Sequence, residues 1–191
     1  MPYIDFHTHQ PSRQGETVVQ DGIDTWGAHP WKLILPSETL LPQALAIGEC
    51  GLDRLCDMPY EVQTEVFRHQ IRLSQQWGKP MIIHCVRAID DVLRMRREEH
   101  ADLPWVIHGF RGKPEQMHTL TAHGCYVSFG FRHNEESLRL CPPERLLLET
   151  DTDPRPVCLL YETAAQLRNT DTDALQRLME QNYITLFGRK P

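Results

Sequence analysis

Two histidines one residue apart, His7 and His9, close the first apolar run of the chain, Tyr-Ile-Asp-Phe-His-Thr-His. On a strand, side chains two apart project to the same side, so both imidazoles converge while Ile4, Phe6 and Thr8 point the other way. A converging pair of neutral imidazoles is half of a divalent-metal site. The other half is available further along: Glu49, His84, His108 and Asp151 each sit at or near the end of an apolar segment. Imidazole mixed with carboxylate suits zinc, manganese or a similar ion, and no Cys-x-x-Cys pair is present to build a structural zinc site. Glu49 could bridge two ions. Ions held this way lower the pKa of a bound water toward neutrality and polarise a scissile carbonyl or phosphoryl oxygen. Asp151, able to touch both metal and water, is the natural proton acceptor. Glu49 and Asp151 are therefore the catalytic candidates, and His7, His9, Glu49, His84, His108 and Asp151 the metal-ligand candidates.

A second pattern is cationic. Arg54, Arg87, Arg111 and Arg132 each follow an apolar segment by a few residues, where a guanidinium fork could grip a phosphate or carboxylate. The competing reading pairs them with Asp53, Asp57, Asp90 or Asp153. His29, in Gly-Ala-His-Pro-Trp, is placed to reach a substrate, and Trp31 and Phe110 read either as an aromatic wall for a base or as core packing. Glu149 alternates with Asp151 onto the same side, leaving ligand, supporting and surface roles open. His69, His100, His118 and His123 fall on helices and read as solvent-facing.

These groups need a scaffold that brings strand ends together. Short β-prone runs occur at residues 3–7, 17–20, 25–28, 46–49, 80–84, 105–108, 126–129 and 146–149. Helical spacing predicts helices over 61–77, 89–99, 114–123, 135–140, 157–168 and 173–186. In the first of these, Val62, Val66, Phe67, Ile71, Leu73 and Ser74 face inward, with Arg68, Arg72 and Gln75 outside. Strand–helix alternation makes right-handed parallel crossovers, and a succession of them reads as an α/β layer or a TIM-type (β/α) barrel. Every ligand candidate then lies at the carboxyl end of a strand, the face that carries the chemistry in such barrels. Within the first 45 residues the gaps between strands are too short for helices, since a parallel crossover takes about a dozen residues. The N-terminal part of the barrel is therefore abbreviated.

Bulk properties agree. The 191 residues read as a single domain, 1–191, and 40% hydrophobic with 24% charged residues is an ordinary globular balance. Apolar stretches are too short to span a bilayer and the N-terminus lacks a secretory layout, so no membrane association and a cytoplasmic location are expected. Six scattered cysteines read as reduced thiols, with Cys50, Cys85 and Cys125 in core positions. A formal charge of −6 argues against broad binding along nucleic-acid backbones but allows a local basic mouth.

The segments Asp5-Phe6-His7-Thr8-His9, Gly27-Ala28-His29-Pro30, Gly48-Glu49-Cys50-Gly51-Leu52-Asp53, residues 67–84, His108-Gly109-Phe110-Arg111-Gly112 and Leu147-Leu148-Glu149-Thr150-Asp151 resemble, in this order, the TatD family of metal-dependent hydrolases within the amidohydrolase-like TIM barrels. The closing Leu186-Phe187-Gly188 is similar too. The resemblance implies one to three divalent ions (zinc, manganese or magnesium) on the six ligand candidates, and nuclease activity at 3′ ends of DNA. It also implies that this chain is a compact form lacking about two outer helices. It departs from the family after His84, after His108 and past Asp151, where Cys85-Val86-Arg87, Gly109-Phe110-Arg111 and Thr152-Asp153-Pro154 stand. The expected function is a deoxyribonuclease cleaving phosphodiesters at DNA ends, with His29, Arg87 and Arg111 binding substrate. The alternative is a small-molecule amide, ester or phosphoester hydrolase on the same metals, acting on a small anionic substrate. A third reading is a non-catalytic metal- or nucleotide-binding module. Under-covered outer faces of the first strands would be shielded by the C-terminal helices in a monomer, or by a second subunit in a homodimer.

Overall fold

A computed structural model describes residues 2–191. In chain order the strands are β1 (Tyr3–Thr8), β2 (Glu16–Gln20), β3 (Thr25–Trp26), β4 (Ala46–Asp53), β5 (Met81–Val86), β6 (Trp105–Ile107), β7 (Tyr126–Phe129) and β8 (Leu146–Leu148). The helices are α1 (Tyr60–Trp77), α2 (Ile89–Glu98), α3 (Pro114–Ala122), α4 (Glu135–Leu140), α5 (Val157–Leu167) and α6 (Thr172–Phe187). Two short 3-10 turns, Glu38–Leu40 and Pro143–Arg145, add to the expected elements. Among the described residues no α-helix precedes α1, so the abbreviated N-terminal part is observed. The chain forms two compact units, Asp21–Ile107 and Met1–Gln20 with His108–Pro191.

In the unit Asp21–Ile107, β3, β4, β5 and β6 pair in parallel in that order. β4 runs to Asp53, past the expected end at residue 49, and β5 runs past His84 to Val86. Glu49 and His84 therefore lie within strands rather than at their ends. The extension is held by continued pairing, Gly51 to His84 and Asp53 to Val86. Helix α1 starts after Pro59 and stops at Gly78, whose left-handed φ of 62° no β-branched residue would adopt cheaply. Its inner face is the expected one at Phe67, Ile71, Leu73 and Ser74, but Val62 is exposed, and Gln63 and Gln70 are buried with that face. Two amides are tolerated there because both bond backbone groups that have no ladder partner on that side.

In the second unit, β1 pairs in parallel with β2, and β7 with β8. No helix follows β1. Its outer side is covered by the C-terminal helices instead: the Tyr161 hydroxyl of α5 accepts from Ile4 N–H at 3.1 Å and donates to Ile4 C=O at 2.9 Å, and Phe6 meets Tyr183 of α6 at 6.0 Å. Asp171 caps α6 through a bond from Ala174 N–H at 2.6 Å, and Gly188 ends it at φ 68°. All six cysteines are free thiols; Cys50 and Cys125 are buried as expected, whereas Cys85 is only half-buried because it sits where β5 emerges.

Both strands that carry ligand candidates early in the chain are irregular. Between Asp5 and Thr8, β1 advances three residues while β2 advances two, from Val18 to Gln20. Between Ile47 and Cys50, β4 likewise advances three against two on β5. Such bulges re-aim side chains next to functional sites, and these two fall at His7 and Glu49. Just beyond, Gly51 holds φ 135°, and a Cβ there would lie 2.1 Å from the His84 carbonyl oxygen. Gly51→Ala is expected to destabilise the fold by about 3 kcal/mol or to prevent it. Gly22→Ala, at φ 75° with nothing within 4 Å, should cost only about 1 kcal/mol. Urea denaturation of the two variants checks the contrast, and equal losses would refute the steric account of Gly51.

Candidate metal centre

In the unit that contains both termini, β1 carries Asp5 and His7, and His9 follows just past its end. His7 is fully buried, and its ring packs against His108 at 4.4 Å and His9 at 5.2 Å between centroids. The chain after β8 returns alongside β1: Asp151 N–H donates to His7 C=O at 2.9 Å, and His9 N–H to Asp151 C=O at 3.0 Å. Asp151 adopts φ 56°, a left-handed conformation that only a doubly anchored non-glycine residue keeps at low cost. This turn presents its Oδ1 at 3.5 Å from His9 Nε2 and 4.0 Å from His7 Nε2. Ligand atoms of His7, His108 and Asp151 lie within 4.8 Å of one another.

Two further acids hold this cluster in place. Asp5 is buried, and its carboxylate accepts from Thr150 N–H at 3.0 Å and Thr150 Oγ1 at 2.6 Å, which fixes the residue before Asp151. Burial pushes the Asp5 carboxyl up to about 7 despite those bonds. Glu149 is wholly buried, so a surface role is excluded. Its Oε1 accepts from Gly109 N–H and lies 3.5 Å from His108 Nδ1. Burial opposes its ionisation, but His108 and His7 outweigh that and hold the carboxyl below the usual glutamate range. A carboxylate on one ring nitrogen orients the other toward an ion.

Beside Asp151 is a cavity of about 180 Å³ bordered by Glu149, Asp153, Arg111 and Arg132. Asp153 is engaged by Arg155 through a forked pair at 2.9 and 2.7 Å, and Arg155 itself covers Phe131. Arg111 and Arg132 are exposed and form no ion pair among the described residues. Arg54 is paired, but with Asp91, an acid outside the expected set, and Arg132 acts through its charge on Asp153, behind Arg155.

In the unit Asp21–Ile107, Glu49 Oε1 lies 2.9 Å from both His29 Nε2 and His84 Nδ1. His29 Nδ1 accepts from Trp31 N–H at 3.1 Å, so its other nitrogen carries the proton and faces Glu49. The second nitrogen of His84 is 3.1 Å from Asp53 Oδ2. A neutral imidazole donates from one nitrogen only, so one of the two ring–carboxylate contacts needs a second proton or a cation between the partners. Asp53 also accepts from Trp31 Nε1 at 2.7 Å and Leu55 N–H at 2.8 Å, and these with His84 overcome burial to keep its carboxyl below the usual range. The buried glutamines of α1 complete the frame. Gln63 accepts from Asp53 N–H at 2.8 Å and donates to Asp53 C=O at 3.0 Å; Gln70 accepts from Ala28 N–H at 2.6 Å and donates to Ala28 C=O at 3.2 Å.

His29, expected to touch substrate, stands inside the ligand cluster with Glu49 and His84. Arg87 is exposed at φ 52° just after β5. Phe110 is buried edge-on against Phe129 at 5.7 Å and belongs to the core, whereas Trp31 is 59% exposed. His69, His100, His118 and His123 are exposed, as read from the helices. Sequence reasoning passed over Asp5, Asp53 and the two glutamines as parts of the site. The acids were accessible to the same alternation that selected their neighbours, Asp5 with His7 and Asp53 with Glu49. The glutamines carried no such signal. The donor set, imidazoles and carboxylates within 4.8 Å, fits divalent ions that take nitrogen and oxygen ligands.

Comparison with known proteins places the chain. The family model described as TatD related DNase matches residues 15–188. The chain is 33% identical over 175 residues to the 3′-5′ ssDNA/RNA exonuclease TatD of Escherichia coli (strain K12), covering 77% of this chain and 67% of that protein. It is 30% identical over 167 residues to the uncharacterized metal-dependent hydrolase YabD of Bacillus subtilis (strain 168), covering 76% and 66%. The chain thus spans about two thirds of the length of these relatives. Among solved structures it is similar to YjjV, a TatD homologue of Escherichia coli K12, with TM-score 0.74, 23% identity, and 93% of this chain and 78% of that one covered. A TatD family hydrolase from Entamoeba histolytica gives TM-score 0.71 at 18% identity, covering 78% and 65%. The parallel α/β elements are those of a TIM-type barrel fold, with the N-terminal helices missing. A family match running through nearly every element, on the scaffold of solved relatives, makes this chain a member of the TatD family of metal-dependent hydrolases.

Proposed function

We propose that the protein is a metal-dependent phosphodiesterase acting on the 3′ ends of DNA, with the whole chain serving as one hydrolase domain. The observation that carries the reading is Asp151, set among imidazoles on one side and beside an arginine-bordered cavity on the other. His7, His9, His108 and Asp151 would hold divalent metal in one cluster, and Glu49 and His84 in the other. When bound, zinc, manganese or magnesium supplies Lewis-acid charge that activates water and polarises a phosphoryl oxygen. The chain's own groups do the rest. Asp151, half-exposed at the cavity edge, receives the proton of the attacking water. Arg111 neutralises the non-bridging oxygens of the phosphate, and Arg132, on the same wall, does so with it. Arg87 and His29 would contact the substrate in the unit Asp21–Ile107. Glu149 and Asp53 keep the imidazoles oriented through the cycle.

A second reading, hydrolysis of a small anionic ester, is favoured by the cavity volume, which suits one small anionic group, and by the formal charge of −6. No described helix is long and apolar enough to cross a membrane.

Elemental analysis of purified protein should find divalent metal at one to three equivalents, and EDTA should abolish release of label from a 3′-labelled single strand, with manganese restoring it. Label release unaffected by exhaustive chelation would remove the metal from the scheme. Asp151→Asn, chosen because asparagine tolerates the left-handed backbone there, is expected to lower kcat about 10³-fold with an unchanged urea midpoint. Full activity in that variant would strip Asp151 of its role. Arg111→Ala should raise KM about ten-fold with kcat little altered; steady-state kinetics in which kcat alone falls would contradict a grip on the ground-state anion.

A further inference from the structure

We propose that Trp31 is a stacking platform for the nucleobase at the end of the substrate; this deepens the nuclease reading and rests on it. The indole is 59% exposed, yet it is not a loosely solvated side chain. Its Nε1–H donates to Asp53 Oδ2 at 2.7 Å, and its backbone N–H donates to His29 Nδ1 at 3.1 Å. The preceding segment is clamped by Gln70, which bonds both backbone groups of Ala28. The indole meets His29 nearly perpendicularly, with centroids 4.9 Å apart at 82°, and His84 at 5.8 Å and 77°. A large aromatic ring is thus held in one orientation against two imidazoles of the candidate centre while much of its surface stays in solvent. Its rotamer freedom is already lost, so a partner that stacks on it meets little further ordering cost.

The chemistry of the partner follows from what surrounds the ring. A base presents a π-face of matching size, and such stacking is tolerant of sequence. Stacking itself reads no base edge, and the acid bonded to the indole is already engaged: Asp53 Oδ1 accepts from Leu55 N–H, and Oδ2 serves both Trp31 and His84. The platform therefore binds any base and selects against an end that lacks one. A mere brace for Asp53 would make a different pattern, because its effect would run through His84 and fall equally on all substrates.

The test compares single strands ending in a 3′ deoxyadenosine or a 3′ abasic residue, hydrolysed by the metal-replete wild type, Trp31→Phe and Trp31→Leu. The platform predicts that Trp31→Leu cuts the preference for the based end, in kcat/KM, by about ten-fold through KM. Trp31→Phe, which keeps a π-face but loses the bond to Asp53, should retain most of it, and metal content should be the same in all three. Equal losses on both ends, or equal damage from Phe and Leu, would overturn the platform in favour of a brace. Should the wild type cleave neither strand, the nuclease reading fails by itself. Titration with dAMP against 2-deoxyribose 5-phosphate then decides the platform: fluorescence quenching by dAMP alone, lost in Trp31→Leu, upholds it for a free nucleotide, and quenching independent of Trp31 rejects it.

Discussion

Glu49, held at 2.9 Å between His29 and His84, and Glu149, buried behind His108, set the terms for the rest of this structure. A carboxylate taken out of water is tolerated only where donors or cations meet it. Each of these is met by an imidazole, and each imidazole is turned by the meeting. Orientation of the ligand atoms and stability of the buried acids are thus one arrangement. Losing either partner would leave a buried charge and a misaimed ring together.

Around that arrangement the backbone is unusually well tied. Asp5 secures Thr150, Asp151 is bonded on both sides to β1, Gln63 fixes Asp53, and Gln70 fixes Ala28 next to His29. Apart from the backbone pairing at Asp151, these contacts are side chain to backbone bonds. Gly51 and the irregular registers at β1 and β4 let the strands approach and turn where the ligand candidates need them. A rigid frame of this kind keeps catalytic groups in place without relying on loops alone.

The chain achieves this within about two thirds of the length of the relatives named above. In its N-terminal part, strands follow one another without α-helices among the described residues. Tyr161, bonded to both backbone groups of Ile4, and Tyr183 show how α5 and α6 cover β1 in their place.

Much was legible from the letters. Period-two alternation picked out His7 with His9 and Glu149 with Asp151, and helical spacing located all six helices to within a residue or two, since both depend only on local geometry. The site candidates followed because acids and imidazoles at the ends of apolar runs are costly unless used. What the letters could not carry were facts set by distant neighbours. Gln63 and Gln70 read as polar residues on a helix and became buried clamps, because the backbone of Asp53 and Ala28 arrived opposite them. Phe110 and Trp31 looked equivalent, and only packing put one in the core and left the other in solvent. Pattern along a chain specifies which side a residue faces; which partner meets it there is decided by the packing of elements far apart in sequence.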